Sequence, residues 1–281
     1  MKIIGFVDYY LSEWHANNYV GWLKEASEKL GEDFVVKYAW AELDKSLVDG
    51  VTTDEWCEQY GVEKCETIKE LCEKCDYIIV LAPSNPETHL RYAQEVLSYG
   101  KNTYIDKTFA PDYQTAQKIF DIAKQYGTKF FSTSALRYAT ELDAMVGSCS
   151  AMTTGGGSNI DEYIIHQAEM AVKVLDAKVK RVRVEKLSEA QYLSIAEFEN
   201  GKKATLAFSE CYSFSICAGT AQGVTTYKEI ASDFFANLMT AMLKFFATGE
   251  LPFDTNQTLE VMKLREGIVK GRLNAGTWVE F

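Results

Sequence analysis

Residues 77–83 read Tyr77-Ile78-Ile79-Val80-Leu81-Ala82-Pro83, an unbroken apolar run that ends at a proline. A run of this length without polar alternation is typical of a parallel strand covered by helices on both faces. Shorter runs of the same kind occur elsewhere in the first half of the chain, with helical periodicity between them: Ile3–Val7, Val35–Trp40, Asn102–Ile105 and Lys129–Ser132. Alternating strands and helices predict right-handed crossovers. We therefore expect an α/β fold class, with a Rossmann-like, doubly wound parallel sheet over residues 1–133.

The pattern changes near Ser134. One amphipathic helix is predicted over Glu162–Leu175, and a long helix with an apolar face starts at Phe234 and ends at Gly249. Between them the sequence predicts extended runs at about 178–187, 191–199 and 203–212, the last two joined by a hairpin turn at Glu199-Asn200-Gly201-Lys202. A further helix and a short strand over Thr277–Phe281 close the chain. Residues 134–281 are therefore expected to form an α+β domain with a mostly antiparallel sheet.

The composition excludes several classes of protein. With 281 residues, 47% of them apolar and only 4 prolines, the chain is neither disordered nor of low complexity. Its net charge of −11 disfavours nucleic acid and anionic membranes as partners. Asp8 comes too early for the apolar region of a signal peptide, and an odd number of cysteines, seven, at irregular spacing suits a reducing compartment. A cytoplasmic location is the expectation.

Four short motifs, in order along the chain, resemble one protein family. Ala82-Pro83-Ser84-Asn85-Pro86-Glu87-Thr88-His89 is similar to the proline–asparagine–histidine loop of the Gfo/Idh/MocA oxidoreductases, and Tyr104-Ile105-Asp106-Lys107-Thr108-Phe109-Ala110 to their Glu-Lys-Pro motif. Ala135-Leu136-Arg137-Tyr138 resembles the arginine-containing segment that opens their second domain. The tail, from Phe234 through Gly249-Glu250-Leu251-Pro252 to Gly276-Thr277-Trp278-Val279, resembles their closing helices and last strand. The resemblance implies a nicotinamide-dependent oxidoreductase.

The resemblance assigns the chemistry to three residues: Lys107, His166 and Glu162. Lys107 would bind the substrate hydroxyl and assist proton transfer, and partial burial of a lysine lowers its pKa toward a useful range. Glu162 and His166 are four residues apart on one helix face, where a carboxylate would orient the imidazole. The family has an aspartate four residues before this histidine, so either Glu162 replaces it or the register slips to Asp161. The plainer alternatives are an exposed turn lysine and a packed histidine.

For the cofactor, NAD or NADP, the resemblance implies a set of residues at the ends of the strands: Gly5, Asp8, Pro83, Asn85, His89 and Asp106. His89 and His15 are expected to be mainly structural. The turn after the first strand departs from the family, because only the first glycine of the G-x-G-x-x-G pattern is present. Tyr9 and Tyr10 lie where phosphates are expected, and Asp8 and Glu13 add repulsive charge there. Trp40 occupies the place of the ribose-binding acid, with Glu42 and Asp44 just beyond as substitutes.

Two further groups have competing interpretations. Cys57, Cys65, Cys72 and Cys75 are clustered, and Cys72-x-x-Cys75 has metal-ligand spacing, but no second close pair accompanies it. Packing in the core is the preferred interpretation, and no metal site is predicted. Gly155-Gly156-Gly157 follows no clear strand, so a flexible entry to a helix is favoured over a phosphate loop.

Two functional hypotheses result. The first is an oxidoreductase that transfers hydride between a nicotinamide and a hydroxyl of a sugar, cyclitol or polyol. The second is a non-redox relative that has lost the dinucleotide and binds a small metabolite or a protein partner; the missing glycines motivate it. The resemblance also implies a small, polyhydroxylated substrate and a homodimer or higher oligomer. Retention of Lys107, Glu162 and His166 favours the first hypothesis.

Overall fold

The computed structural model describes residues 1–281, and the chain forms two compact units. The first comprises Met1–Thr133 and Phe235–Asp254, and the second comprises Ser134–Phe234 and Thr255–Phe281. The long helix near residue 240 is thus counted with the first unit, whereas the sequence placed all of residues 134–281 in one domain. None of the helices is long and apolar enough to cross a membrane.

A six-stranded, wholly parallel sheet in the order β3-β2-β1-β4-β5-β6 forms the centre of the first unit. Its strands are β1 Lys2–Asp8, β2 Phe34–Ala41, β3 Glu63–Lys64, β4 Tyr77–Val80, β5 Thr103–Ile105 and β6 Phe130–Phe131. Its helices are α1 Trp14–Leu30, α2 Thr53–Tyr60, α3 Ile68–Lys74, α4 His89–Val96, α5 Tyr113–Tyr126 and α7 Phe234–Thr248, of which α7 starts at the boundary of the units. This strand order reverses between β1 and β4, and ligands of such sheets bind at the carboxyl ends of the strands there.

The apolar run that predicted the parallel sheet is the middle of its core. Ile78, Ile79 and Val80 in β4 are completely buried. Helix α7 adds aromatic rings to this core, since Phe246 stacks on Tyr77 with ring centroids 4.8 Å apart. The predicted Rossmann-like sheet is confirmed.

The second unit has a seven-stranded sheet in the order β12-β11-β7-β10-β9-β8-β13. Only the β10–β7 pair is parallel, so the predicted, mostly antiparallel sheet is confirmed. Its strands are β7 Ser150–Gly155, β8 Val179–Ser188, β9 Gln191–Phe198, β10 Lys203–Ser209, β11 Ser215–Gly219, β12 Thr225–Glu229 and β13 Trp278–Glu280. Helices α6, Ile160–Leu175, and α8, Asn256–Gly271, pack against it.

The sequence interpretation of Gly155-Gly156-Gly157 was wrong in one respect, because Gly155 is the last residue of strand β7. It was missed because Ser150–Gly155 contains few β-branched or aromatic residues. A Cβ on Gly156 would lie 2.2 Å from the backbone oxygen of Ser209, and one on Gly157 would lie 2.1 Å from the ring of Tyr163. These glycines therefore permit close packing at the entry to α6.

Candidate active site

Two carboxylates lie at the carboxyl edge of the parallel sheet, where the resemblance places the cofactor. Asp8 ends β1, and its Oδ1 accepts hydrogen bonds from the backbone N–H groups of Tyr9, at 2.7 Å, and Ala82, at 2.9 Å. Its side chain is almost completely buried, and Oδ2 has no hydrogen-bond partner in the protein. Burial, with the nearby charges of Glu13 and Asp106, raises the pKa of the Asp8 carboxyl well above its usual range, although the two N–H groups oppose this.

Asp106 is the second carboxylate and directly follows β5. It pairs with Nδ1 of His15 and accepts hydrogen bonds from the hydroxyls of Tyr104, at 2.9 Å, and Tyr19, at 3.4 Å. Burial raises the pKa of Asp106, but the charge and hydrogen bond of His15, with Lys107 and Tyr104, outweigh it and hold the pKa below the ordinary value. The residue is thus an anchor for the strand end that carries Lys107.

The first turn of α1 is capped by an acid from its own sequence. Glu13 is the N-cap, and its carboxylate accepts hydrogen bonds from the backbone N–H groups of His15, at 2.8 Å, and Ala16. The side chain is only 8% exposed. Burial raises the pKa of the Glu13 carboxyl, against the opposing effects of His15 and the two N–H groups. Glutamate is not among the residues that typically cap a helix through the side chain, so this cap was not predictable from the sequence.

The turn between β1 and α1 is fixed by the loop that follows β2. The N–H of Leu43 donates to the carbonyl of Tyr9 at 2.8 Å, and Oγ of Ser46 donates to the carbonyl of Ser12 at 2.9 Å. Ser12 has a positive φ of 60°, and its Oγ donates to Asp49 at 2.8 Å. The turn is therefore held by its neighbours in a shape built without glycine.

Gly5 has a different role from the one that the resemblance implies. It lies inside β1 rather than after it, and a Cβ there would lie 2.6 Å from Sγ of Cys75 and 2.7 Å from Cδ2 of Leu71. The missing side chain makes room for α3 to pack on the sheet. The prediction that Gly5 binds the cofactor is therefore corrected, because its free face is filled by the protein.

The end of β2 offers an acid after all. The strand continues to Ala41, so Glu42, rather than Trp40, directly follows it. Glu42 pairs with Arg91 and accepts a hydrogen bond from the hydroxyl of Tyr92 at 2.5 Å. Burial raises the pKa of Glu42, but these hydrogen bonds outweigh it and the pKa is lowered. Trp40 packs edge-on against Tyr92 at 5.7 Å. Glu42 is thus an ionised carboxylate at the position where a ribose-binding acid is expected.

The proline loop is held mainly by backbone contacts. Pro83 is buried, and Nδ2 of the half-buried Asn85 donates to Glu87 at 3.1 Å. His89 is completely buried, with Nε2 2.7 Å from the carbonyl oxygen of Leu81 and Nδ1 3.0 Å from that of Phe109. Burial lowers the pKa of this histidine. His89 therefore joins the loops after β4 and β5, and its ring is not presented to a ligand.

In the second unit, Glu162 and His166 lie half-buried on the same face of α6. The helix begins at Asn159, whose Oδ1 accepts a hydrogen bond from the N–H of Glu162 at 2.9 Å. Asp161 makes a bidentate ion pair with Arg272. Because Asp161 is held by α8, the structure favours Glu162 as the residue in register with His166.

A chain of buried contacts supports His166. Its Nδ1 lies 2.7 Å from Oγ of Ser134, and the N–H of Ser134 donates to Glu169 at 3.1 Å. Glu169 pairs with Nε of Arg137, and both side chains are buried. Leu136 donates its N–H to Oγ of Ser134 at 3.2 Å. The sequence did not indicate Ser134, because a serine at a domain boundary carries no distinctive pattern.

The clustered cysteines are unpaired and buried. Burial raises the pKa of the thiols of Cys57 and Cys65 to about 11 and that of Cys72 to about 12. Burial likewise raises the pKa of Cys75. Thiols of this kind are neutral and unreactive at neutral pH, as expected of side chains packed in a core.

Comparison with known proteins supports the interpretation of the fold. Residues 23–134 match the model of the Gfo/Idh/MocA oxidoreductase family, described as an oxidoreductase family with an NAD-binding Rossmann fold. Among curated proteins, none matches this sequence. The matched segment begins inside α1, so it includes Lys107 and the proline loop but not β1, the turn after it or Glu13.

Solved structures share the fold over the whole chain. A probable dehydrogenase from Thermotoga maritima has a TM-score of 0.80 at 13% identity, covering 99% of this chain and 98% of its own. A putative myo-inositol dehydrogenase from Sinorhizobium meliloti 1021 has a TM-score of 0.75 at 13% identity, and the match covers 100% of this chain and 99% of that protein. GenD2 from gentamicin A biosynthesis, in complex with NAD, has a TM-score of 0.76 at 14% identity, covering 100% and 97%. These structures share the fold of the whole chain, and the match of residues 23–134 to the family model confirms the resemblance to the Gfo/Idh/MocA oxidoreductases over that segment.

Proposed function

We propose that this protein is an NAD(P)-dependent oxidoreductase that transfers hydride between a nicotinamide and a hydroxyl of a sugar, cyclitol or polyol. The observation that carries the proposal is the position of Lys107, two residues after the end of β5, at the carboxyl edge of the parallel sheet. Asp106, held by His15 and two tyrosine hydroxyls, fixes this strand end. The similarity to a putative myo-inositol dehydrogenase and to an NAD complex supports the substrate class and the cofactor.

The side chains have separate roles in this proposal. Lys107 binds the reacting hydroxyl and stabilises the charge that develops on its oxygen as the proton leaves. His166 accepts that proton, and Glu162, four residues earlier on the same helix face, stabilises the imidazolium. A bound nicotinamide would supply the hydride acceptor. Glu42 is the residue proposed to bind the adenosine ribose.

A screen for activity tests the proposal. The purified protein is incubated with NAD or NADP and a panel of cyclitols, sugars and polyols, and absorbance of the reduced nicotinamide is followed. We expect turnover with at least one polyhydroxylated compound, loss of turnover in Lys107→Ala, and normal turnover in Lys118→Ala, a change in a lysine of α5. Turnover that survives Lys107→Ala in a folded protein would contradict the assignment.

A specific observation also favours the second candidate function, a non-redox relative that binds a small metabolite or a protein partner. The carboxylate of Glu13 already accepts the first N–H groups of α1, which a dinucleotide site would use for the pyrophosphate. This candidate predicts no binding of NADH or NADPH at millimolar concentrations. Saturable binding of either compound would remove it.

We also propose assembly through the open face of the second sheet. A cross-strand row of Tyr227, Cys217, Met152, Thr205 and Ile195 lies on the face opposite the buried residues of these strands. Met152 and Tyr227 are 61% and 64% exposed, which is unusual for large apolar side chains in the middle of a face. Light scattering on wild type and Met152→Glu tests this, since a sheet-mediated homodimer is expected to dissociate in the variant.

A cytoplasmic location belongs to the same proposal. All seven cysteines are free, as suits a reducing compartment. Fractionation of cells that make the protein tests the location, and recovery of the protein with disulfide bonds would contradict it.

A further inference from the structure

The N-terminus of α1 is the place where a dinucleotide would need free N–H groups. A Rossmann fold binds pyrophosphate there because the first amides of the helix have no partner within the helix and carry partial positive charge. In this chain the carboxylate of Glu13 accepts the N–H groups of both His15 and Ala16. The amides that would bind the pyrophosphate are thus engaged by a carboxylate of the protein itself.

Charge around this position also opposes a second anion. The side chains of Asp8, Glu13 and Asp106 are all buried and act on one another electrostatically. His15, the histidine beside these acids, is paired with the carboxylate of Asp106. A pyrophosphate entering beside an ionised Glu13 would therefore meet carboxylates in a poorly solvated region, where like charges repel strongly.

Glu13 is the carboxylate that has freedom to leave. Asp8 holds the turn together through the N–H groups of Tyr9 and Ala82, and Asp106 is bound by His15 and two tyrosines. The carboxylate of Glu13 caps only its own helix, where a bound phosphate oxygen would satisfy the same two N–H groups. Rotation of this side chain would expose the helix N-terminus at the cost of these two hydrogen bonds and of the electrostatic attraction to His15.

We propose that the carboxylate of Glu13 is an internal competitor of the dinucleotide, which binds only when its pyrophosphate displaces this side chain from the N-terminus of α1. The inference rests on the proposed function. Its consequence is that dinucleotide affinity is set by Glu13 and is low in the wild type. The segment concerned lies outside residues 23–134, the part of the chain that matches the family model.

The test is a titration with NADH of the wild type and two matched variants, Glu13→Ala and Glu13→Asp. Binding is read from quenching of tryptophan emission, since Trp14 is adjacent, and from sensitised emission of the nicotinamide. Glu13→Ala removes the competitor, whereas Glu13→Asp keeps both a carboxylate and a good N-cap. We expect the dissociation constant to fall at least about tenfold in Glu13→Ala and to stay within about threefold in Glu13→Asp.

Inorganic pyrophosphate serves as a second probe, because it reports on the helix N-terminus without the nicotinamide. It should protect Glu13→Ala against thermal unfolding more than it protects the wild type. If Glu13→Ala is unstable, Glu13→Gln replaces it, because the glutamine keeps an acceptor oxygen and removes the charge; its affinity for NADH should also rise.

The outcomes separate this inference from the proposed function. Wild-type binding of NADH that Glu13→Ala and Glu13→Gln leave unchanged overturns the role of Glu13 but not the oxidoreductase. Absence of binding in wild type and in both folded variants overturns the role of Glu13 and the proposed function together. Equal gains in Glu13→Ala and Glu13→Asp would also overturn it, since the carboxylate would not be the cause.

Discussion

The starts of α1 and α6 show two uses of a helix N-terminus in the same chain. At α1 the cap is a buried acid, Glu13, and the neighbouring acids Asp8 and Asp106 are buried as well. At α6 the cap is the neutral Asn159, and Glu162 and His166 remain half exposed above it. The acids at the start of α1 are therefore enclosed by the protein, whereas Glu162 and His166 near the start of α6 are partly exposed.

The difference lies in what supports each group of polar residues. Around His166 the buried charges are paired, since Glu169 binds Arg137 and the N–H of Ser134. Around Asp8 one buried oxygen lacks a partner and the neighbouring charges have the same sign. The carboxylate of Glu169 is therefore compensated by partners within the protein. The burial of Asp8, in contrast, costs free energy that no hydrogen bond to its Oδ2 offsets.

The largest loss of stability is expected when the buried carboxylate of Glu169, near His166, is removed. Glu169→Ala leaves the guanidinium of Arg137 buried without its carboxylate, and it should reduce the free energy of unfolding by about 3–5 kcal/mol. Asp161→Ala breaks an exposed ion pair with Arg272 and should cost about 1 kcal/mol or less. Urea denaturation of both variants checks this, and equal losses would contradict the distinction between buried and exposed pairs.

A glycine substitution before α6 and one inside α1 should change the free energy of unfolding in opposite directions. Gly156→Ala places a Cβ against the backbone oxygen of Ser209, so it should cost about 1–3 kcal/mol or more. Gly21 lies inside α1 with open space around it, so Gly21→Ala should stabilise the protein by about 0.5–1 kcal/mol. Thermal unfolding measures both. Tolerance of Gly156→Ala would mean that the entry to α6 is flexible after all.

The substitution Asp8→Asn tests the free-energy cost of burying the Asp8 carboxylate. The asparagine keeps Oδ1 as acceptor for Tyr9 and Ala82 and replaces the ionisable oxygen with a neutral amide group, so no charge is buried and the variant should be on the order of 1 kcal/mol more stable at pH 8. Because the folded-state pKa of Asp8 is raised, the native state binds more protons than the unfolded state, and wild-type stability falls as pH rises through this window.

The gain from Asp8→Asn should therefore shrink as pH is lowered toward the ordinary carboxyl range. Denaturant titrations of wild type and variant between pH 5 and pH 8 measure this. A variant that is less stable at every pH would show that the second oxygen of Asp8 has a partner that matters.

The last effect is on catalysis rather than on stability, and it concerns the proton on His166. Oγ of Ser134 accepts the N–H of Leu136 and has a second lone pair for an N–H on Nδ1 of His166, and this tautomer leaves Nε2 as the basic nitrogen that proton transfer needs. Ser134→Ala should shift the ring toward a mixture of tautomers and lower kcat by about tenfold with little change in KM. Nitrogen NMR of the ring reads the tautomer directly. An unchanged ring spectrum would remove Ser134 as a positioning residue.

The fold was predictable from sequence because its signals are local. The run at Ile78–Val80 is apolar on both faces of a strand, and Asn200-Gly201 marks a hairpin. The strands β7 and β11 were missed because few of their residues favour strands, and β12 was missed because it is exposed throughout and has no alternation of apolar and polar residues. For the site, motif residues such as Lys107 could be named, but their supports could not.

Contacts such as Ser134 with His166, or Glu13 with the amides of α1, depend on tertiary positions or on a side-chain rotamer. The sequence marked Glu13 only as a repulsive charge. The structure shows that the same carboxylate makes the hydrogen bonds that a phosphate would make. The turn after β1 thus lacks the glycines of the family pattern and also carries the acid that occupies the N-terminus of α1.

The displacement of Glu13 can be followed at the backbone amides of His15 and Ala16 by NMR while wild-type protein is titrated with NADH. Both resonances should shift together and saturably as the pyrophosphate replaces the carboxylate of Glu13, and Glu13→Ala should reach the same end point at lower concentration. Saturable binding of NADH that leaves these two amides unmoved would overturn the displacement, because the dinucleotide would then be held elsewhere.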